Sequence, residues 1–298
     1  MTETIRLRPS TVLKFDECPS QYYFSEVEKL RSKATSANLP FGTAVHEAMT
    51  GYILATVSGK PFDPVAVFES YWDHAIENET LEFSSIWDED SMRQTGKRLV
   101  EQFPEIWDNS GLSPLIDSKG PVVERRFETT IRPGVVLTGQ PDVVAVNSDA
   151  EVIALDLKTT ASEYDPIFLL ASEQLTAYQV LLDAHSDELG IEGVDRLGFV
   201  ELLKKKIPKT SRGTGPVIKA PHLVNARSTS MVRDYEEKVL NTAKDIASKR
   251  FPRRPRMAFN SPCSMCDFRS YCLQDSMEGL YRLNSKEKSE SEVSSVSQ

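Results

Sequence analysis

The chain has 298 residues, of which 40% are hydrophobic and 27% are charged, and its formal net charge is -9. This composition excludes a mainly disordered protein, and no apolar run in the sequence is long enough to cross a bilayer. The N-terminus lacks the charged and then apolar plan of a signal peptide, so we expect a soluble, cytoplasmic protein.

The negative charge is concentrated in one segment. Residues 69–108 hold eleven acidic and three basic side chains, whereas the rest of the chain is nearly balanced. The balanced part includes Lys204–Lys206, Lys209, Arg212 and a basic run over residues 249–256. These groups could meet phosphates while the acidic segment faces elsewhere and binds a partner. The alternative is an ordinary solvated surface.

Helical spacing of apolar residues dominates the N-terminal half. The expected helices span residues 11–29 with an interruption at Pro19, 43–57 with Thr43 as the cap, 65–78 and 91–109. Strand patterns follow at residues 122–130, 135–138, 142–146 and 152–157, then a helix at 166–184, a strand at 196–203 and a helix at 229–249. We expect an antiparallel hairpin across Asn147–Asp149, a mixed sheet, a mobile basic loop at 209–215 and a disordered tail from Asn284.

The run Val152–Lys158 ends with a carboxylate and an ammonium two residues apart. Side chains alternate along a strand, so Asp156 and Lys158 share one face while Leu157 points to the other. A carboxylate can hold a hard divalent cation, and a neighbouring lysine can stabilise phosphate charge or help to deprotonate water. A surface ion pair at the end of a core strand is the alternative.

A second acid, Asp142, opens the strand that precedes this run. Pairing across the short turn would place Asp142 close to Asp156, and a bound Mg²⁺ would relieve their repulsion. His46 could add a neutral imidazole, although a single histidine near a helix start is commonly a cap or a surface residue. Gln174 and Tyr178 share one helix face and could flank the site, or only pack beside an apolar stripe.

Four segments, taken in order, resemble the RecB-like branch of the PD-(D/E)xK nuclease superfamily over about residues 10–273. The resemblance is closest to CRISPR-associated RecB-like exonucleases and their phage relatives. The segments are Gly42-Thr-Ala-Val-His46, Gly139-Gln-Pro-Asp142, Asp156-Leu-Lys158 and Gln174-Leu-Thr-Ala-Tyr178.

This resemblance implies a restriction-endonuclease-like α/β fold, with a mixed central sheet flanked by helices. It implies one domain over residues 1–283, with an N-terminal helical region, a helical insertion at about 60–112 and a nuclease core at about 120–206. His46, Asp142, Asp156 and the Leu157 carbonyl would hold one or two Mg²⁺ or Mn²⁺ ions. Lys158 would orient or activate water, and the pair Gln174 and Tyr178 would line the DNA-facing site.

The implied activity is exonuclease action on single-stranded or frayed DNA in recombination, repair or phage DNA processing. A structure-specific endonuclease and a non-cleaving DNA-binding or assembly subunit are the alternatives. The sequence contains no Gly-x-x-x-x-Gly-Lys-Ser/Thr loop, so unwinding driven by ATP would need a helicase or recombination partner.

The four cysteines are Cys18, Cys263, Cys266 and Cys272. Disulfides are not expected without an export signal, so their spacing leaves a zinc site, an iron-sulfur cluster or unrelated buried thiols. One cysteine before the core and three after it resemble the [4Fe-4S] clamp of iron-sulfur RecB-like nucleases. That likeness implies a cluster that joins Cys18 to a C-terminal segment at residues 257–275.

Overall fold

The computed structural model describes residues 4–210, 213–255 and 261–283. The predicted tail from Asn284, together with Arg212 and Arg256, lies outside the described residues. The described helices are α1 (Pro9–Glu17), α2 (Pro19–Tyr22), α3 (Asn38–Ser58), α4 (Pro64–Asn78), α5 (Glu89–Asp108), α6 (Pro166–Ala171), α7 (Glu173–Asp183), α8 (Ser186–Leu189), α9 (Thr229–Ala247) and α10 (Arg269–Gln274). A π-helical turn spans Tyr23–Val27 and a 3-10 turn spans Pro262–Met265.

The strands are short except in the predicted core. They are β1 (Ile5–Leu7), β2 (Leu30–Ser32), β3 (Thr35–Ser36), β4 (Leu81–Glu82), β5 (Ser113–Pro114), β6 (Ile116–Asp117), β7 (Gly120–Pro121), β8 (Phe127–Arg132), β9 (Val135–Gly139), β10 (Val143–Val146), β11 (Val152–Thr160), β12 (Arg196–Leu203), β13 (Val217–Ile218), β14 (His222–Asn225) and β15 (Leu280–Arg282).

The central sheet has the order β13-β12-β11-β10-β5, and β14 also pairs with β12. Strands β10 and β11 are antiparallel, with Val143 opposite Leu155. Strands β11 and β12 are parallel, with Asp156 opposite Phe199. The predicted hairpin and the predicted mixed sheet are therefore confirmed.

Helices cover both faces of this sheet, which explains why β11 is apolar without interruption. Ile153, Leu155 and Leu157 pack with α3, α4 and α5 on one face. Val152 and Ala154 pack with α1, α7 and α9 on the other. By the same alternation Asp156 and Lys158 belong to the face that α7 covers.

The predicted strand at 122–130 is wrong in its first half. Strand β7 ends at Pro121, strand β8 begins at Phe127, and Val123 makes only an isolated bridge to Val143. Glu124 lies between them with a φ of 50°, a left-handed conformation that interrupts an extended strand. Strand β8 then joins a separate sheet of order β1-β9-β8.

Three helix predictions need correction at their ends. Helix α3 begins at Asn38, so Thr43 lies inside it, where its hydroxyl donates to the Leu39 carbonyl (3.3 Å), and it caps nothing. His46 therefore lies beyond the first turn. The expected helix at 166–184 divides at Ser172, whose hydroxyl accepts the Leu175 N–H (3.3 Å).

The expected helix at 11–29 begins earlier, at Pro9, and is broken beside Pro19 as predicted. Cys18 is extended, with φ -158° and ψ 106°, and separates α1 from α2. No described helix has both the length and the hydropathy needed to cross a membrane.

Candidate active site

One edge of the central sheet gathers the polar residues that the sequence singled out. Asp156 and Lys158 come from β11, and Asp142 directly precedes the neighbouring strand β10. Gln174 and Tyr178 come from α7, which packs over the same face of β11. The structure therefore brings residues from four predicted motifs together, since α3 adds His46 at this edge (below).

Asp156 is the centre of a buried hydrogen-bond network and is only 2% exposed. Its Oδ1 accepts from Gln174 Nε2 (2.8 Å) and from the Tyr178 hydroxyl (3.2 Å), and its Oδ2 lies 2.7 Å from Lys158 Nζ. Lys158 Nζ also donates to Gln174 Oε1 (2.7 Å). The Asp156–Lys158 pair is thus an ion pair between a buried carboxylate and a half-buried ammonium, in contrast to the surface pair that the sequence left open.

Burial, followed by the charge of Asp142, raises the pKa of Asp156 to about 7, although Lys158 and His46 oppose the shift. Burial alone would lower the pKa of Lys158, but Asp156 and Asp142 outweigh it and the net shift is upward. Lys158 is therefore a fixed cation in the metal-free protein. Such a group suits the stabilisation of phosphate charge better than the abstraction of a proton.

His46 lies between two carboxylates. Its Nε2 is 2.8 Å from Asp142 Oδ2, and its Nδ1 is 2.8 Å from Glu124 Oε1. Asp142 Oδ2 also accepts the Leu157 N–H (2.6 Å), and Glu124 Oε2 accepts from Gln140 Nε2 (2.6 Å). Burial would lower the pKa of His46, but the two carboxylates outweigh it and raise the pKa to about 10.

Glu124 is the site residue that sequence reasoning missed. It was expected in the middle of a strand, whereas its left-handed backbone turns the chain and brings its carboxylate to His46. The available signal was an acid placed directly after the apolar pair Val122-Val123. The resemblance also assigned the Leu157 carbonyl to the metal. The N–H of the same residue donates to Asp142, so this part of the β11 backbone lies beside the group of ligands.

His46, Glu124 and Asp142 can each offer one ligand atom, and these atoms lie within 4.8 Å of one another. Imidazole and carboxylate donors suit Mg²⁺ or Mn²⁺. Two buried carboxylate oxygens nearby have no hydrogen-bond partner among the described residues: Glu124 Oε1, which lies beside His46 Nδ1, and Asp156 Oδ2, which lies beside Lys158 Nζ. The three residues therefore fit a divalent cation, whereas Asp156, which the resemblance also assigned to the metal, is not in this group.

The four cysteines line one cavity, together with Arg253, Arg254 and Arg269. Burial, above all, raises the pKa of the Cys266 and Cys272 thiols, and the nearby Cys18 and Cys263 raise both further. Four cysteines around one cavity beside three cations fit a metal centre of net negative charge. This donor set suits a zinc ion as well as an iron-sulfur cluster.

The family model of the PD-(D/E)XK nuclease superfamily matches residues 6–273. No curated protein matches the chain. The crystal structure of SSO0001 is similar to this chain at 14% identity and a TM-score of 0.42, covering 93% of this chain and 89% of that one. The superfamily predicted from the motifs is confirmed, whereas the RecB-like branch stays a prediction. Because the family model spans most of its length, the chain belongs to the PD-(D/E)XK nuclease superfamily of metal-dependent nucleases, with a mixed sheet flanked by helices.

Proposed function

We propose that the protein is a divalent-metal-dependent deoxyribonuclease that removes nucleotides from the ends of single-stranded or frayed DNA. The observation that carries this proposal is the convergence, on one sheet edge, of Asp142 and the Asp156–Lys158 pair from adjacent strands, with His46 and Glu124 beside them. Recombination, repair or phage DNA processing are the settings in which such an activity is used.

The chemistry of the site follows from its charges. His46, Glu124 and Asp142 would hold Mg²⁺ or Mn²⁺, and Asp156 would add a further carboxylate on the adjacent strand β11. A bound divalent ion lowers the pKa of water and neutralises nonbridging phosphate oxygens. Lys158 keeps its proton and stabilises the charge that develops on the phosphate.

Two residues of α7 position the reacting groups. Gln174 accepts from Lys158 and donates to Asp156, so it fixes the distance between the cation and the carboxylate. Burial and the charges of Asp156 and Asp142 raise the pKa of Tyr178, which keeps its hydroxyl neutral and able to donate. Preorganisation of this kind limits the reorganisation needed during hydrolysis.

A cleavage assay tests the proposal. End-labelled linear single strands, circular single strands and duplex DNA are incubated with Mg²⁺ or Mn²⁺ and wild-type protein. The variants are Lys158→Ala and Asp156→Ala. Lys60→Ala is the control, because Lys60 is exposed and far in sequence from Asp156 and Lys158. We expect degradation of linear single strands that both site variants abolish and the control preserves.

The alternatives give different patterns in the same assay. Cleavage of circular single strands or of branched duplexes would indicate an endonuclease. DNA binding without cleavage by the wild type would indicate a non-cleaving assembly subunit. Full activity of folded Lys158→Ala or Asp156→Ala would refute the site. Unwinding of long duplexes would require a separate helicase or recombination protein.

We also propose that the four cysteines hold a [4Fe-4S] cluster with a structural role, joining Cys18 to the C-terminal segment. The four cysteines line one cavity, which supports a shared metal centre. Protein purified without oxygen should be brown and carry four irons with labile sulfide per chain. Colourless protein that carries one zinc per chain would refute the cluster and indicate a zinc site instead.

A further inference from the structure

The candidate active site lies in the middle of three adjoining clefts. The central cleft, of about 380 Å³, is lined by Asn38, His46, Glu124, Leu157 and Thr159 among others. It is anionic, because the carboxylates of Glu47 and Glu124 line it and His46 is its one lining group that can carry a positive charge among the described residues. A polyanion would be repelled here without a bound metal, so its affinity must come largely from the flanks.

The first flank, named the arginine cleft, is lined by Arg8, Arg126, Gln140, Gln174 and Tyr178 and has a volume of about 180 Å³. Gln174 and Tyr178 bind Asp156 directly, and Gln140 donates to Glu124, so this cleft adjoins the site. Arg8 and Arg126 are exposed, and their guanidinium groups make no ion pair or hydrogen bond with any described residue. Two cations are thus free to meet phosphate.

The second flank, named the lysine cleft, is lined by Trp87, Ala161, Lys204, Lys205 and Lys206 among others, with a volume of about 730 Å³. The lysines directly follow Leu203, the residue of β12 that pairs with Thr160 at the end of β11. Ala161, which also lines the cleft, is three residues beyond Lys158. The lysine cleft lies on the β12 side of the catalytic strand, whereas the arginine cleft lies towards the β10 side.

Two of the lysines lie against an aromatic ring, and the carboxylates of Asp88 and Glu163 interact electrostatically with Lys206 and Lys205 without forming an ion pair. Lys204 and Lys206 place their Nζ atoms 5.0 Å and 5.6 Å from the centre of the Trp87 ring. None of the three lysines has a carboxylate within ion-pair distance among the described residues. Asp88 also lines this cleft, but its carboxylate accepts the Ser91 N–H (2.7 Å) as a helix cap.

Lys204 also donates to Asn38 Oδ1 and thereby connects the lysine cleft to the central one. Gln140 and Glu124 make the corresponding link on the other side (2.6 Å). The three clefts are therefore neighbours, with the candidate metal site in the middle cleft and a cationic group in each outer one. Trp87 comes from the acidic segment, which corrects the expectation that this segment faces away from the basic residues.

We propose that the three clefts form one trough that binds single-stranded DNA on both sides of the scissile phosphate. Arg8 and Arg126 bind backbone phosphates on one side, and Lys205 and Lys206 bind them on the other. A positive groove beside an aromatic side chain is the combination that binds single strands without sequence preference. This inference rests on the proposed function and adds the path of the substrate to it.

Binding of fluorescein-labelled oligothymidylate, followed by anisotropy with Ca²⁺ in place of Mg²⁺, tests the trough. Gels verify that the probe stays intact. The variants are Lys205→Glu with Lys206→Glu, and Arg8→Glu with Arg126→Glu. The matched control is Lys60→Glu with Lys244→Glu, which reverses the same charge at two exposed lysines that lie outside the three clefts. Thermal unfolding verifies that each variant is folded.

We expect Kd to rise at least tenfold in each cleft variant and less than twofold in the control. Loss of two phosphate contacts should also reduce the slope of log K against log salt by about 1.4. Cleft variants that bind like the control would overturn the trough. If the wild type cuts DNA with Mg²⁺ in that case, the proposed function stands, whereas a wild type that neither binds nor cuts DNA refutes both.

Discussion

Metal binding at the candidate site should release a proton from His46. The carboxylates of Asp142 and Glu124 raise the pKa of His46 to about 10, so the metal-free protein carries His46 as an imidazolium at pH 8. A metal can bind only the neutral ring. At pH 8, two units below this pKa, removal of the proton from His46 makes the free energy of metal binding about 3 kcal/mol less favourable.

The affinity for Mg²⁺ should therefore rise about tenfold for each pH unit between pH 8 and pH 9. Asp156 contributes little in this range, because its pKa is about 7 and it is already ionised. Isothermal titration in two buffers of different ionisation enthalpy measures the number of protons released, and we expect about one per metal.

His46→Gln should remove the proton release and the pH dependence together. His74→Gln is the matched control, since His74 is exposed on α4 and its ring lies within hydrogen-bond distance of Asn78. A wild-type protein that binds Mg²⁺ without releasing a proton would show that His46 is not a ligand. Equal proton release by the wild type and by His46→Gln would lead to the same conclusion.

Three further predictions concern stability and metal content. Gly96→Ala should destabilise the protein by about 2 kcal/mol, because the added Cβ would lie 2.0 Å from Phe68 Cζ. Gly42→Ala should stabilise α3 by about 0.5–1 kcal/mol, because nothing lies within 4 Å of the added Cβ. Changes of the same sign in the free energy of unfolding of both variants, measured in urea, would contradict this packing. Burial and Asp142 raise the folded-state pKa of Asp156 above its unfolded value, so its ionised form destabilises the fold above about pH 7. Asp156→Asn should therefore raise the urea midpoint in EDTA at pH 8, and a lower midpoint would count against the buried charge. Cys18→Ser should lose the bound iron or zinc and lower Tm, and an unchanged metal content would remove Cys18 from the ligand set.

The sheet edge could be predicted because its determinants are local in sequence. The apolar run of β11, the turn at Asn147–Asp149 and the apolar run of β10 specify a hairpin by themselves, and the structure confirms it. That pairing places Asp142 beside Asp156 without help from the rest of the chain. Glu124 could not be found in this way, because the strand pattern of its neighbours conceals the left-handed turn at that residue.

The helix ends show a second limit, in which one sequence signal has two meanings. Gly42-Thr43 has the composition of a helix start, but Asn38 begins α3 and Pro40 falls in its first turn, where the missing N–H costs nothing. At Ser172 the sequence conceals a helix start. The apolar spacing on both sides predicts one continuous helix, whereas the serine caps the start of α7.

The position of His46 is set by packing that no local pattern encodes. Val45 and Met49, on the same helix, are buried in the core that also contains Leu155 and Leu157 of β11. Aromatic residues from α3, α4 and the segment after β4 hold this layer together. The ring centre of Phe41 lies 6.0 Å from those of Phe68 and Trp72, and the ring centre of Trp72 lies 6.4 Å from that of Phe83.

The acidic helices thus have a role inside the protein, in addition to any partner that they bind. Their charged faces are solvated, while their apolar faces fix the distance from α3 to the sheet, and with it the 2.8 Å contacts of His46. Because buried cores relax only partially, a cavity at Phe68 should shift α3 and weaken metal binding without any change in a ligand. Sequence can therefore name His46 as a candidate, but its function as a ligand depends on residues whose own pattern predicts only a packed helix.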